Sequence, residues 1–466
     1  MRLFPSPLTC LLGIFLLMQQ PLLAQDPFPT ATLDSLFANL LEVEAFNGNV
    51  LLIEKGEIVY QRSFGWAEEP QRRPLTADTR FELASVSKQF TAMGIVLLQQ
   101  QGKLDYTQAV ADFLPELAFY EDVTLLQLIQ HTSGIPDYIE RLGESAPDVE
   151  FITNETLIQY FAEQQVPLDF PPGTDFAYSN TGYVLLASVI ERVSGRSFGD
   201  FLEEELFKPL GMAQTTVYQR FYAPKEIPDM ALGYGMDTDG EKVTTAELGK
   251  EFFTYFLDGI VGDGMVSSTV GDLYRWDRAL READFLTPAN RELLYTAART
   301  ADGTRHPYGF GWFVEEDPTF GKIAFHAGGW AGFTTYLERH LDTDKTLILL
   351  SNNSLPSTTL PVRPMRRALY REPIEVERKI KPSQQELQAY VGVYGSENFP
   401  LAITVTAEAG TLFTQATGQS SIPMEAYEGH IFKFEPAGIT LVFQPEAGQF
   451  MLYQGSVELL FEKITD

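Results

Sequence analysis

A serine and a lysine three positions apart are the first residues in this sequence whose types and spacing could support catalysis. Ser85 and Lys88 lie in the stretch FELASVSKQF, residues 81–90. On a helix, residues i and i+3 share one face, so the lysine amine can reach the serine hydroxyl. A serine hydroxyl is a weak nucleophile that needs a neighbouring base, and a lysine can act as that base where its surroundings favour the neutral amine. The pair is therefore either a nucleophile with its base or one polar corner of an ordinary helix.

Two further stretches carry polar groups or glycines that could serve the same site. In FAYSNTGYVLL, an extended loop would direct Tyr178 and Asn180 to the same side, although a turn that enters a helix also explains these residues. In FHAGGWAGF, glycines follow His326 and allow a backbone to approach a ligand closely. A tight turn after a strand explains that stretch equally well.

The elements around Ser85 follow from the pattern of apolar residues. Alternating apolar and polar positions on both sides of Lys55-Gly56 predict a β-hairpin. Helical spacing of apolar residues predicts a helix over 87–101 that ends at Gly102. Ser85 should therefore lie at or just inside a helix start, where backbone N–H groups can bind a developing oxyanion.

Strand-like segments at both ends of residues 26–371 bracket a mostly helical middle. This order predicts one antiparallel sheet built from both ends of the domain, with helices packed on it and a helical insertion beside it, an α/β (α+β) fold. Residues 372–385 are charged, contain two prolines and lack a period, which predicts a linker. Residues 386–466 alternate in short segments, so they should form an all-β barrel or sandwich. Its role is open, either a packing appendage or a module whose loop reaches the active-site mouth.

Taken in order, Ser-x-x-Lys, Tyr-x-Asn and His-x-Gly resemble the motifs of the serine β-lactamase and penicillin-binding-protein superfamily. The class C-like branch, with its esterases and D-aminopeptidases, is the most similar. Other stretches also resemble that family, among them VTLLQLIQHTSGIPDY, GDGMVSSTVGDLYRW and YGFGW. The resemblance covers roughly residues 30 to 370 and implies a β-lactamase/transpeptidase-like fold with a helical subdomain.

The resemblance implies a role for each motif residue. Ser85 would form an acyl-enzyme, and Lys88 and Tyr178 would share the proton transfer. Asn180 would bind the substrate amide, while the backbone N–H groups of Ser85 and Gly329 would form the oxyanion hole. His326 and Gly328 would complete the substrate-binding strand. The β-lactamases proper carry a lysine where this chain has His326, and a histidine is mostly neutral at pH 7, so binding of a substrate carboxylate and efficient β-lactam hydrolysis are not expected.

The leading hypothesis is therefore an exported serine hydrolase that cleaves a small amide, ester or D-amino-acid peptide. The alternative is a penicillin-recognising module that binds or becomes acylated without efficient turnover.

A rival Gly-x-Ser-x-Gly motif at residues 195–199 follows a helical stretch instead of a strand, so Ser197 should be a helix cap. His131, among turn residues, should fix a loop by hydrogen bonding. The five histidines lack metal-ligand spacing, so neither a metal nor a cofactor is expected.

The first residues and the overall charge predict where the protein works. Residues 1–24 have one arginine, an apolar run and Ala24 before Gln25, which is typical of a cleaved signal peptide. Cleavage would remove Cys10, the only cysteine, and leave no membrane span in a periplasmic or secreted protein. The formal charge of −29 makes nucleic acid an improbable partner. The expected partner is a small-molecule or peptide substrate, and the sequence does not predict an oligomeric state.

Overall fold

A computed structural model describes residues 28–142, 147–250, 252–282, 284, 286–374, 378–396, 399–454 and 457–464 of the 466-residue chain. The predicted signal peptide, residues 1–24, lies outside the described residues. Within the described ranges, no helix is both long and apolar enough to cross a membrane.

The main sheet has six antiparallel strands. In chain order they are β1 Gly48–Glu54, β2 Glu57–Phe64, β3 Phe313–Asp317, β4 Gly321–Trp330, β5 Phe333–His340 and β6 Lys345–Ser351. Their spatial order is β3-β4-β5-β6-β1-β2, so the sheet joins the two ends of the domain, with Gly48 opposite Ser351. The predicted sheet is confirmed, as is the predicted hairpin, since β1 pairs with β2. Its turn residues Lys55 and Gly56 have φ angles of 51° and 82°, the left-handed values that a tight hairpin requires.

The described chain has six helices of eight or more residues, which pack on the two faces of this sheet or against one another. They are α1 Thr30–Glu42, α2 Lys88–Gln100, α3 Asn154–Gln164, α4 Asn180–Ser194, α5 Val270–Glu282 and α6 Val362–Leu369. Alternate residues of β1 point to opposite faces: Leu51 and Ile53 join the core that contains α2 and α5, and Val50 and Leu52 join the core that contains α1 and α6.

Helices α2 and α4 approach each other closely at Gly94. A Cβ atom at this position would lie 2.6 Å from the Ile190 side chain, so a residue without a side chain allows the contact. Because α2 begins at Lys88 and α4 begins at Asn180, this packing helps to bring two of the predicted site residues together.

Eight antiparallel strands at the C-terminus form a closed barrel. They are β7 Gly392–Ser396, β8 Phe399–Glu408, β9 Thr411–Ala416, β10 Ile422–Tyr427, β11 Ile431–Phe434, β12 Ile439–Gln444, β13 Gln449–Gln454 and β14 Val457–Lys463. Pairing of Tyr394 with Lys463 closes it. Buried aromatic residues, including Phe443, Phe450 and Phe461, occupy the interior, so the barrel has a packed core of its own.

The described part of the predicted linker contacts both the main domain and the barrel. The Ile380 N–H donates to Ala426 O at 2.9 Å, and the Asn39 side chain donates to the Lys379 carbonyl at 3.1 Å. The Lys379 ammonium lies 3.1 Å from a Glu425 carboxylate oxygen of the barrel. These contacts make residues 379 and 380 part of the junction between the two units.

Candidate active site

Ser85 lies in a single 3₁₀ turn, Ala84–Ser87, directly before α2. The short strand Phe81–Glu82 leads into this turn and pairs with Val266–Ser268. Ala84 has φ of 49°, a left-handed value that costs energy for a residue with a side chain. The Leu83 N–H donates to Val266 O at 2.8 Å, and the Thr335 hydroxyl donates to Leu83 O at 2.7 Å. These bonds hold the strained backbone and fix the position of Ser85.

Lys88 is fully buried beneath the serine and has three hydrogen-bond partners. Its Nζ lies 3.1 Å from Ser85 Oγ, 2.7 Å from Asn180 Oδ1 and 2.8 Å from the Asp263 carbonyl oxygen. The amide and carbonyl oxygens can only accept, whereas the serine hydroxyl can donate or accept. A neutral lysine would thus use its two N–H bonds for Asn180 and Asp263 and turn its lone pair towards the Ser85 hydroxyl. The geometry is compatible with Lys88 accepting the serine proton.

Asn180 is held in this orientation by Asp137. One carboxylate oxygen, Asp137 Oδ2, accepts from both the backbone N–H and the side-chain Nδ2 of Asn180, each at 2.8 Å. Because Nδ2 donates to Asp137, the amide oxygen Oδ1 must face Lys88. Asp137 therefore positions the residue that in turn positions Lys88.

Tyr178 lies on the loop before α4, with its ring close to the lysine. Lys88 Nζ is 5.0 Å from the centre of the Tyr178 ring. Buried His131 fixes the loop, because its Nδ1 accepts from the Ser179 N–H at 3.1 Å and its carbonyl accepts from the Ala177 N–H at 3.0 Å. The His131 ring also packs on Tyr178, with 4.3 Å between ring centres. His131 thus makes the loop-fixing contact expected of it.

His326 does not occupy the position expected for a substrate-binding residue. Its side chain is buried, its Nδ1 donates to the Ala327 carbonyl at 2.6 Å, and its Nε2 accepts from the Tyr308 hydroxyl at 2.9 Å. Burial, helped by the positive charge of Lys88, lowers the pKa of His326 to about 3. The expectation that His326 contacts substrate disagrees with this placement, because both ring nitrogens are already bonded within the core and the ring is neutral at pH 7.

The two glycines after His326 have different surroundings on β4. A Cβ at Gly328 would lie 2.2 Å from Leu83 O and 2.4 Å from Thr335 Oγ1, so the strand can lie against the Ser85 turn only without a side chain there. A Cβ at Gly329 would meet nothing within 4 Å, and Gly329 lines the pocket together with Ser85. Gly328 is therefore a packing position, and Gly329 faces the space in which a substrate carbonyl would lie.

The pocket at Ser85 encloses about 70 Å³ and combines polar and apolar walls. Its polar lining residues include Glu82, Asn180, Asp263 and Gly329. Its apolar lining comprises Ile139, Leu257, Ile260, Met265 and Trp330. In the described structure no lysine or arginine side chain lines this pocket, and no residue of the barrel does so.

The sequence predicted no role for Asp137 or Asp263, and it predicted the hydrogen bonding of His131 but not its aromatic packing. Asp137 and His131 lie within QHTSGIPDY, a stretch whose turn residues gave the only available signal.

The rival serine is excluded by its geometry, since Ser197 Oγ accepts from the Asp200 N–H at 3.1 Å and caps the helix Phe198–Leu202. The predicted cap is confirmed.

Comparisons with known proteins identify the family of this chain. The chain is 36% identical to penicillin-binding protein 4* of Bacillus subtilis over 91% of this chain and 97% of that protein. It is 24% identical to a D-aminopeptidase of Gluconobacter oxydans over 74% of this chain and 62% of that protein. The octameric penicillin-binding protein homologue from Pyrococcus abyssi has the same fold, with a TM-score of 0.66 and 23% identity over 93% of this chain and 99% of that one. The Beta-lactamase family model matches residues 33–372. The chain therefore belongs to the β-lactamase family of hydrolases and penicillin-binding proteins, and it shares that fold.

Proposed function

We propose that this protein is a serine hydrolase in which Ser85 forms an acyl-enzyme with a small amide, ester or D-amino-acid-containing peptide. The observation that carries the proposal is the contact of Lys88 Nζ with Ser85 Oγ at 3.1 Å, in a setting where two acceptor oxygens occupy the other bonds of the amine. A binding module that is never acylated has no need of a buried amine beside a serine hydroxyl.

The reaction would proceed in two balanced steps. Ser85 Oγ attacks the substrate carbonyl carbon while its proton passes to the Lys88 and Tyr178 pair. The resulting oxyanion accepts from the backbone N–H groups of Ser85 and Gly329. Collapse expels the amine or alcohol, which takes up that proton and leaves an ester on Ser85. Water then attacks this ester, gives a proton to the same pair and releases the acid, with the proton returned to Ser85.

The similarity to a D-aminopeptidase and the lining of the pocket favour a peptidase or esterase over an efficient β-lactamase. The D-aminopeptidase of Gluconobacter oxydans is similar over 74% of this chain. In the described structure no lysine or arginine lines the pocket, so the carboxylate that β-lactams carry would lack a cationic partner. Slow or absent turnover of penicillin is the expected consequence.

Intact-mass spectrometry after mixing with p-nitrophenyl acetate or a penicillin tests the proposal. We expect a covalent adduct in the wild type and in Ser197→Ala, the matched control at the exposed rival serine, and none in folded Ser85→Ala. Loss of the adduct with time would show turnover, whereas an adduct that persists would favour the module without efficient turnover. If neither probe forms an adduct, the acyl-enzyme proposal is contradicted.

We also propose export after cleavage at Ala24, and the mass of protein recovered from the medium or periplasm would test it.

A further inference from the structure

Two oxygens orient the Lys88 amine, and they belong to segments that are far apart in the chain. Lys88 Nζ donates to Asn180 Oδ1 at 2.7 Å and to the Asp263 carbonyl oxygen at 2.8 Å. Asn180 begins α4, whereas Asp263 lies in the loop before the strand Val266–Ser268. The lone pair of a neutral amine faces Ser85 only while both oxygens keep their positions. The residues that hold these two oxygens therefore control the geometry of the proton transfer.

The Asp263 carbonyl lies on a segment in which glycines flank the residue on both sides. Gly262 has a φ of 110°, a value that a residue with a side chain rarely adopts, and a Cβ there would lie 2.4 Å from Tyr183 O. Because Gly262 and Gly264 restrict the backbone less than other residues do, the orientation of the Asp263 peptide depends on contacts elsewhere. The Asp263 carboxylate makes such a contact, since its Oδ2 accepts from the Tyr138 hydroxyl at 3.0 Å. This side chain thus anchors the carbonyl that binds the lysine.

Tyr138 connects this loop to the start of α4. Its side chain is buried and lies in the wall of the pocket at Ser85. Its backbone N–H donates to Thr181 Oγ1 at 2.8 Å, and the Thr181 hydroxyl donates to the Pro136 carbonyl at 2.7 Å. Thr181 directly follows Asn180 in the chain. Tyr138 is therefore held by the segment that carries one acceptor of the lysine, and its hydroxyl holds the segment that carries the other.

We propose that Tyr138 is a positioning residue of the reaction and that Asp137 and Tyr138 together form a clamp on Lys88. Asp137 fixes the side-chain oxygen of Asn180. Tyr138 donates to the Asp263 carboxylate and thereby fixes the carbonyl of the same residue. Two successive residues of one loop thus set both acceptors of the amine. The inference rests on the proposed acyl-enzyme function and identifies the residues that hold the Lys88 amine in place for it.

Tyr138→Phe tests the clamp, because it removes the hydroxyl and retains the ring in the pocket wall. We would measure, by rapid mixing, the rate constant of acylation by p-nitrophenyl acetate and the concentration of this ester at half-saturation. The rate constant should fall by about 10-fold, the effect of losing one hydrogen bond to a charged group. The half-saturating concentration should stay within about twofold of wild type, since the hydroxyl acts on the lysine and not on the ester.

Tyr120→Phe is the matched control. Tyr120 is also buried and its hydroxyl donates to Val166 O at 2.7 Å, but it is not among the described residues that line the pocket at Ser85. Both variants should lose stability in urea, whereas Tyr120→Phe should retain the wild-type rate constant of acylation. A wild-type rate constant in folded Tyr138→Phe, or a similar loss of rate in both variants, would overturn the proposal.

Variants of Asp263 test whether Tyr138 acts through that carboxylate. Asp263→Ala removes the carboxylate, whereas Asp263→Asn keeps a side-chain oxygen that can accept from the Tyr138 hydroxyl. Acylation should therefore be about 2- to 10-fold faster in Asp263→Asn than in Asp263→Ala. Adding Tyr138→Phe to Asp263→Ala should change the rate constant by less than about twofold, because the two residues act as one unit.

The two proposals fail in different ways. Equal rates in the two Asp263 variants, or a further loss of rate in the double variant, would overturn the clamp and leave the serine hydrolase intact. Absence of any Ser85 adduct in the wild type would instead defeat the underlying function. If a variant in one of the two comparisons does not fold, the other comparison decides.

Discussion

Replacing Gly328 with alanine should move strand β4 away from the turn Ala84–Ser87, which carries Ser85. The new Cβ would lie 2.2 Å from Leu83 O, 2.4 Å from Thr335 Oγ1 and 3.2 Å from the Ala84 Cβ. Ordinary contacts need more than 3 Å, so β4 and the turn must move apart by about 1 Å. The first contact is with backbone, which cannot rotate away as a flexible side chain would. The substitution also disturbs the 2.7 Å bond from Thr335 to Leu83 O, which helps to hold Ala84 at its positive φ.

Both stability and catalysis should fall in Gly328→Ala. Overpacking together with one weakened hydrogen bond should lower the free energy of unfolding by about 2–4 kcal/mol. A displacement of about 1 Å between Ser85 and the Gly329 N–H should lower the rate of acylation by about 100-fold. Urea unfolding measures the first effect, and the initial rate of p-nitrophenol release from p-nitrophenyl acetate measures the second.

Gly329→Ala is the matched control, one residue further along the same strand. Its Cβ has open space within 4 Å, so the free energy of unfolding should stay within about 0.5 kcal/mol of wild type. A Gly328→Ala protein with wild-type stability and a wild-type acylation rate would refute the claim that this glycine sets the distance between β4 and Ser85. Equal destabilisation of the two variants would refute it as well.

Two further predictions concern groups that act through other residues. Asp137→Ala should lower the acylation rate by about 10- to 100-fold, because Asn180 loses the charged acceptor that orients its amide oxygen towards Lys88; unchanged acylation of the folded variant would contradict this role. Burial lowers the pKa of His326 to about 3, so between pH 6.5 and pH 3 the unfolded chain binds a proton that the folded chain does not. The stability that depends on this neutral ring is complete above pH 6.5 and falls by about 1.4 kcal/mol per pH unit as the pH drops. In His326→Gln the free energy of unfolding should therefore decline less steeply between pH 6.5 and 4.5, and identical slopes in the two proteins would contradict the assignment.

Local patterns predicted the elements of the fold, because the forces that set them are local. The hairpin at Lys55-Gly56 needs two residues with left-handed backbone angles between two strands. The sequence shows the turn pair and the alternation of apolar and polar residues on both sides of it. The helix expected over 87–101 is observed at Lys88–Gln100, and the residues before it form a tighter turn that carries Ser85. The antiparallel sheet and the closed barrel also agree with the expected architecture.

The parts of the site that the sequence did not reveal depend on contacts between distant segments. Asp137 binds Asn180 across 43 positions, and His131 binds Ser179 across 48. Residue type alone also does not tell which way a side chain faces. His326 stands at a motif position but turns into the core, where Tyr308 and its neighbouring carbonyl satisfy it. Asp263 lies in a stretch similar to the family, yet only the structure shows its backbone carbonyl bound to Lys88.

The placements of His326 and Asp263 together determine the surroundings of Lys88. A lysine in place of His326 would put a second amine beside Lys88, whereas the neutral imidazole leaves Lys88 as the only amine in contact with Ser85 among the described residues. Asp263 meanwhile accepts from Lys88 through its backbone oxygen and from the Tyr138 hydroxyl through its carboxylate. With Asn180 Oδ1 as a second acceptor, these contacts fix the direction of Lys88 Nζ towards Ser85 Oγ.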